Sequence, residues 1–170
     1  NISNPRLNDS DFSGNFAIST SKNDYNDYSV NSNGVSVGVG HKFTRHINGY
    51  LGYSYSQNTY DVFEDNETTE DYDFESYSKS SVVTSISFDN TDDYYLPREG
   101  FVLSESLEKA GVGGDADFVK SRTKFAKYYG LKEYIDYDII FRYKARLNMV
   151  FNNGNLPIAE KFYMGGIGTV

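Results

Sequence analysis

The sequence predicts an all-β protein: an antiparallel up-and-down meander of about seven strands with one face turned to a membrane. Three observations carry this. From Tyr137 to Asn152 the chain alternates, with Tyr137, Ile139, Phe141, Tyr143, Ala145, Leu147, Met149 and Phe151 on one face. Asp138, Arg142, Lys144, Arg146, Asn148 and Asn152 lie on the other, where only Ile140 and Val150 are apolar. A period of two is that of a strand. This one is longer than the roughly 5 to 6 residues usual in soluble domains and long enough for the roughly 9 to 11 of a tilted transmembrane strand. Secondly, its polar face is basic, which suits a hydrated barrel interior and not a dry core. Thirdly, the chain holds 16 tyrosines and 12 phenylalanines with no tryptophan, its mean hydropathy is negative, and it has no run of about 18 apolar residues to make a spanning helix.

The other strands lie between turn signals. The first covers residues 12 to 21, after the polar Asn8-Asp9-Ser10-Asp11. Asn23-Asp24-Tyr25-Asn26-Asp27 turns the chain into a second strand, 28 to 44, where Val35, Val37 and Val39 oppose Ser36, Gly38 and Gly40. Tyr28 and Val30 have the opposite phase, which predicts a bulge near Asn33-Gly34. Arg45-His46-Ile47-Asn48 makes a tight hairpin into the third strand, with Leu51, Tyr53 and Tyr55 against Gly52, Ser54 and Ser56. The acidic stretch Glu64 to Glu75 reads as a solvated loop. A fourth strand runs from 77 to 89, with Val82, Ile86 and Phe88 on one face. The Asp-rich connection 90 to 100 leads to a fifth, Phe101 to Glu108, and Gly111-Val112-Gly113-Gly114-Asp115 forms a loop. The sixth, 117 to 129, carries Lys120, Arg122 and Lys124 on one face, and the seventh is 137 to 152. Segments 22 to 27, 64 to 76, 110 to 117 and the residues after 152 fall on one side; 45 to 48, 90 to 100 and 131 to 136 fall on the other. Longer outer loops and shorter inner turns are the asymmetry of outer-membrane barrels, whose even strand numbers make an odd count read as a slice.

With 170 residues and no cysteine the chain is one or at most two domains, without disulfides or thiol chemistry. A net charge of −8 argues against a nucleic-acid partner. Asn1 to Arg6 lacks the basic start and apolar stretch of a signal peptide, so an exported form is expected to have lost its leader.

Few residues point to chemistry. His41 and His46 flank one turn, but no cysteine or close carboxylate set completes a metal site. Asp89, Asp92 and Asp93 lack the alternation of a calcium loop and read as turn formers. Gly111 to Gly114 has no following Lys-Ser/Thr and is not a phosphate loop. A serine hydrolase such as an outer-membrane lipase would need a histidine set against one serine, and nothing in the spacing does that. No cofactor and no enzymatic activity are expected. Asn66, in Glu64-Asp65-Asn66-Glu67-Thr68, fits N-x-S/T and the extended bacterial sequon, so it is a candidate glycosylation site. Lys120, Arg122, Lys124, Arg142, Lys144 and Arg146 would be neighbours on adjacent strands, where like charges repel. They need water, counter-charges or an inserted loop.

Leu156 to Val170 resembles the sixth extracellular loop of the BamA family. There, P-x-x-E-x-F/Y-x-x-G-G leads to Val-Arg-Gly-Phe/Tyr, and Pro157, Glu160, Phe162, Gly165 and Gly166 match the first part. The sequence stops at Val170, before the arginine. Phe88 to Phe101, with Pro97 and Gly100, is similar to the family's periplasmic turn, and Asn4-Pro5-Arg6-Leu7 to an earlier turn. The resemblance covers the whole chain. It implies a slice of a transmembrane barrel of about 16 strands, residues 1 to 170 spanning roughly strands 5 to 11 and the start of the sixth loop. It also implies a place in the machinery that folds and inserts β-barrel proteins into the outer membrane of Gram-negative bacteria. Partners would be outer-membrane lipids, unfolded client barrels and, through periplasmic domains, assembly lipoproteins. Gly165, Gly166 and Gly168, before Val170, would let the loop bend inward. Alternatives are a two-partner secretion translocator of the same superfamily and a porin or adhesin-like outer-membrane protein. As an isolated slice the chain is expected to self-associate through open sheet edges.

Overall fold

The structure is a computed structural model that describes residues 1–7, 10–24, 28–62, 75–132, 137–152, 156, 157, 160 and 161. Eight strands make one antiparallel sheet: β1 (Ile2–Asn4), β2 (Phe12–Asp24), β3 (Tyr28–Lys42), β4 (Ile47–Val62), β5 (Tyr77–Asp89), β6 (Gly100–Ala110), β7 (Phe118–Gly130) and β8 (Ile140–Asn152). They pair in sequence order from β1 to β8, with β1 and β8 at opposite edges of an open sheet.

The meander matches the expectation, with three corrections. A short strand, β1, pairs with Gly14 to Phe16 and brings the number to eight, so the argument from an odd count falls. Three residues are too few to show a period. The bulge near Asn33-Gly34 is absent, because β2 and β3 pair without a skip from Phe12↔His41 to Asp24↔Ser29. The last strand starts at Ile140 and not at Tyr137, since regular pairing with β7 begins at Gly130↔Ile140.

Register divides the side chains between two faces. The apolar face carries Phe16, Ile18, Val35, Val37, Leu51, Ile86, Leu103, Leu107, Phe141, Leu147 and Phe151, all exposed. This belt stops before the strands do. On the same face Lys22 and Asp24 end β2, Asn31 and Asn33 lie on β3, and Thr59 and Asp61 end β4. The strands thus run past the apolar belt on the side of the 111–117 loop. One carboxylate lies within the belt: Glu105 accepts hydrogen bonds from the Ser121 and Thr123 hydroxyls at 2.6 and 2.5 Å.

The buried core is on the other face and at one end. Val30, Tyr60, Tyr77, Ala110, Ala116 and Phe118 are buried, with Tyr28, Val150 and Leu156 packed against them. This explains the missing bulge: Tyr28 and Val30 keep phase with Gly38 and Gly40, and their apolar side chains pack here. Burying such side chains is worth about 1.5 to 3 kcal/mol each, which outweighs their departure from the apolar/polar pattern of β3.

At the opposite end the 90–100 connection is held by its aspartates, as turn formers should be. Asp89 Oδ1 accepts from the Thr91 amide at 2.9 Å, Asp92 Oδ1 from the Arg98 and Glu99 amides at 2.9 and 3.0 Å, and Asp93 Oδ1 from the Tyr95 and Leu96 amides at 2.7 and 2.8 Å. These amide donors hold the Asp92 carboxyl below its ordinary value. Pro97 precedes the turn into β6, where Gly100 has φ +96° and a Cβ would stand 2.5 Å from the Asn90 carbonyl oxygen. Arg98 then pairs with Asp138, Nη2 to Oδ2 at 2.7 Å, tying this connection to the β7–β8 turn.

Candidate functional site

Three neighbouring strands and a loop segment bring an ion cluster onto the polar face. Glu108 on β6 stands directly opposite Lys120 on β7, and Arg122 follows two residues on, on the same face. Glu108 Oε2 accepts from Arg122 Nη2 at 3.2 Å, and Glu108 Oε1 lies 3.3 Å from Lys79 Nζ of β5. The fifth charge comes from outside the sheet. Pro157 starts a turn that its carbonyl closes by accepting the Glu160 amide at 3.0 Å. The turn aims the Glu160 carboxylate at Lys79, 2.8 Å away, and at Lys120, with which it forms an ion pair. The Tyr77 hydroxyl donates to the same carboxylate at 3.4 Å, and Leu156 packs on the core beneath.

Three cations and two carboxylates are thus gathered at a place largely screened from water: the Lys120, Glu108, Glu160 and Lys79 side chains are 5%, 7%, 12% and 18% exposed, and Arg122, at 36%, lies at its edge. Lys120 also lies over the Phe118 ring, 4.7 Å from its centroid. Burial raises the Glu160 carboxyl, but the Lys79 and Lys120 charges more than offset it, leaving its pKa below the ordinary value. Removing one partner from so desolvated a set leaves a buried charge uncompensated, which costs about 3 to 5 kcal/mol.

The six basic residues named from the sequence do share one face. They are not all neighbours. Lys124 stands opposite Arg146, but Lys120 and Arg122 face Val150 and Asn148, while Arg142 and Lys144 face Tyr128 and Ala126. The stagger leaves one direct like-charge pair, beside a cavity of about 250 Å³ that Lys124, Lys144 and Arg146 line. Lys79, Glu108 and Tyr77 went unread in the sequence, and Glu160 was read only as part of the loop pattern, although Glu108, at an even position of a strand whose odd positions are mostly apolar, was a visible counter-charge. Asn66, Gly165, Gly166, Gly168 and Val170 lie outside the described residues.

The histidines do not converge. His41 is on the apolar face, its ring 4.2 Å from Phe12 and 4.8 Å from Phe43 between centroids, whereas His46 Nδ1 meets the Asp89 carbonyl at 2.7 Å. Neither is hydrogen-bonded to a serine, and no metal-binding group of side chains occurs, among the described residues.

Residues 1–170 match the Omp85 superfamily domain. The chain belongs to the Omp85 superfamily. Among its relatives it is 28% identical over 179 residues to the outer membrane protein assembly factor BamA of Nitratidesulfovibrio vulgaris strain Hildenborough, a match covering 99% of this chain and 22% of that protein. Its fold is that of the crystal structure of BamA from Haemophilus ducreyi lacking POTRA domains 1-3. The TM-score is 0.78 at 18% identity, and the match covers 98% of this chain and 35% of the other. The Omp85 segment described here thus spans well under half of either relative.

Proposed function

We propose that the chain is a part of an outer-membrane barrel that assembles other β-barrel proteins, and that its contribution is to hold the loop of residues 156 to 161 inside the barrel. Strands β2 to β8 would occupy roughly the fifth to eleventh places of a larger barrel, with the basic face to the lumen and the belt to lipid. One observation carries this reading: Glu160 comes from a loop, yet its carboxylate is seated between Lys79 and Lys120 on the polar face of the sheet.

The arrangement does its work without bond-making chemistry. A loop that folds back inside a barrel needs an anchor, and a carboxylate between two ammonium groups is directional where apolar packing is not. The extended side of the sheet, where 111–117, Leu156, Pro157 and Glu160 lie, would face the cell exterior, and the 90–100 turn and residues 137–139 the periplasm. Client barrels and assembly lipoproteins would be met by the whole protein.

The test is Glu160→Lys in the full-length protein, with Gly166→Val as a companion. Heat-modifiable gel mobility should report a folded barrel, while outer-membrane levels of client barrels should fall. Normal client levels with a folded Glu160→Lys barrel would reject the anchor. Loss of one secreted passenger with clients unaffected would favour a two-partner secretion translocator instead.

A further inference from the structure

Lys127 is a cation on the apolar face. It stands opposite Phe101 on β6 and Tyr143 on β8, with Phe125 and Tyr129 two residues away on either side of it along β7. Phe141 fills the remaining corner, opposite Tyr129. These five rings and Lys127 line a cavity of about 450 Å³. The ammonium lies 5.0 Å from the Tyr129 centroid and 5.7 Å from that of Phe101. No carboxylate pairs with it among the described residues. Lys109, the other lysine on this face of β6 and β7, is paired with Asp117 at the opposite end of the sheet.

Ring faces satisfy an ammonium in part, at about 0.5 to 2 kcal/mol, and leave its N–H donors directed outward. Lys127 is three residues from the end of β7 at Gly130, roughly 10 Å of strand and less in depth once the strand tilts. A lysine stem covers that distance. With the belt to lipid, as proposed above, that reach puts the ammonium where a bilayer changes from acyl chain to headgroup, beside an aromatic recess. We propose that Lys127 and the rings around it hold one phospholipid of the periplasmic leaflet, its phosphate on the ammonium and the upper part of an acyl chain against Phe125 and Tyr143. Charge complementarity selects an anionic group, and the recess selects one that carries a chain. The leaflet, though not the lipid site itself, rests on the orientation proposed above.

The test uses the full-length protein in detergent, titrated with dioleoyl phosphatidylglycerol and followed by native mass spectrometry. Lys127→Gln should weaken retention of the tightest lipid about tenfold, the size of one charge-assisted contact. Lys109→Gln should leave it unchanged. Millimolar inorganic phosphate should not displace the lipid, and displacement would overturn a lipid as occupant. Equal retention by wild type and Lys127→Gln would overturn the site. Tighter retention of lipopolysaccharide than of phosphatidylglycerol would overturn the leaflet. Should Lys127→Gln fail the heat-modifiability check, wild type is crosslinked with a phosphatidylglycerol bearing a photoreactive headgroup. Label concentrated on residues 125 to 129 supports the site, and label spread evenly over the belt overturns it. Client assembly is not read in these measurements, so their failure is distinct from failure of the loop anchor.

Discussion

Lys79 Nζ lies 2.8 Å from Glu160 Oε1, one residue from a mid-sheet strand and the other from the loop beyond the last strand. The contact joins the far end of the described chain to β5 across the intervening strands. It makes the position of the loop depend on a pair of charges.

Coupling between the two partners is the first expectation. Lys120→Met and Glu160→Gln should each loosen residues 156 to 161, and the double variant should cost less than the sum, with a coupling energy of about 1 to 3 kcal/mol. Protease sensitivity of the loop in the folded barrel measures it. Strict additivity would show that the ion pair holds nothing.

Acid should release the loop. The docked Glu160 carboxyl has a pKa below its free value of 4.5, so docking is favoured fully above that value. It is lost as pH falls through the lowered one. The chain has no cysteine, so a spin label at Leu156→Cys, in a full-length background freed of other cysteines, can follow the change. It should be immobile at neutral pH and mobile in acid, and Glu160→Gln should remove the acid transition.

Alternation on β8 makes a third expectation. A membrane-impermeant thiol reagent applied to single cysteines from Tyr137 to Phe151 in the full-length barrel should label even positions such as Arg142, Lys144 and Arg146 and spare odd ones such as Phe141 and Leu147. Uniform labelling or inverted parity would contradict the assignment of the basic face to the lumen.

Two glycines with similar backbone angles should respond differently. Gly100 has φ +96° and no room for a Cβ, whereas Gly113 has φ +112° and nothing within 4 Å. Gly113→Ala should cost only the backbone strain, about 1 kcal/mol. Gly100→Ala should cost more, about 3 kcal/mol, because the Asn90 carbonyl must also move. Barrel unfolding temperatures in detergent would rank them, and equal shifts would show that the turn yields freely.

The isolated chain should associate through its edges. β1 covers only Gly14 to Phe16 of β2, and β8 offers its free side from Ile140 to Asn152. Such rows of backbone groups pair with other chains. Sedimentation in detergent should show oligomers that lysine or proline substitutions on β8 reduce. A compact monomer at high concentration would mean that the edges are covered.

What could be read without tertiary information was whatever repeats locally. Strand β8, the valine ladder of β3 and the turn aspartates announce themselves because a period of two and an Asx turn involve residues close in sequence. The Glu160 anchor was not legible in that way. It needs the register of β6 on β7, which sets Glu108 against Lys120, and the return of the loop over β5. The phase of Tyr28 and Val30 was misread for a related reason. Alternation reports which face is wet only while each face has one environment along its length, and here the polar face becomes an aromatic core at one end. The sequence by itself determined seven of the eight strands, their order and the separation of a basic from an apolar face, since these follow from spacing. Only the tertiary structure decided which charges meet, because ion pairs between distant segments are set by strand register and loop path, and neither is written in local spacing.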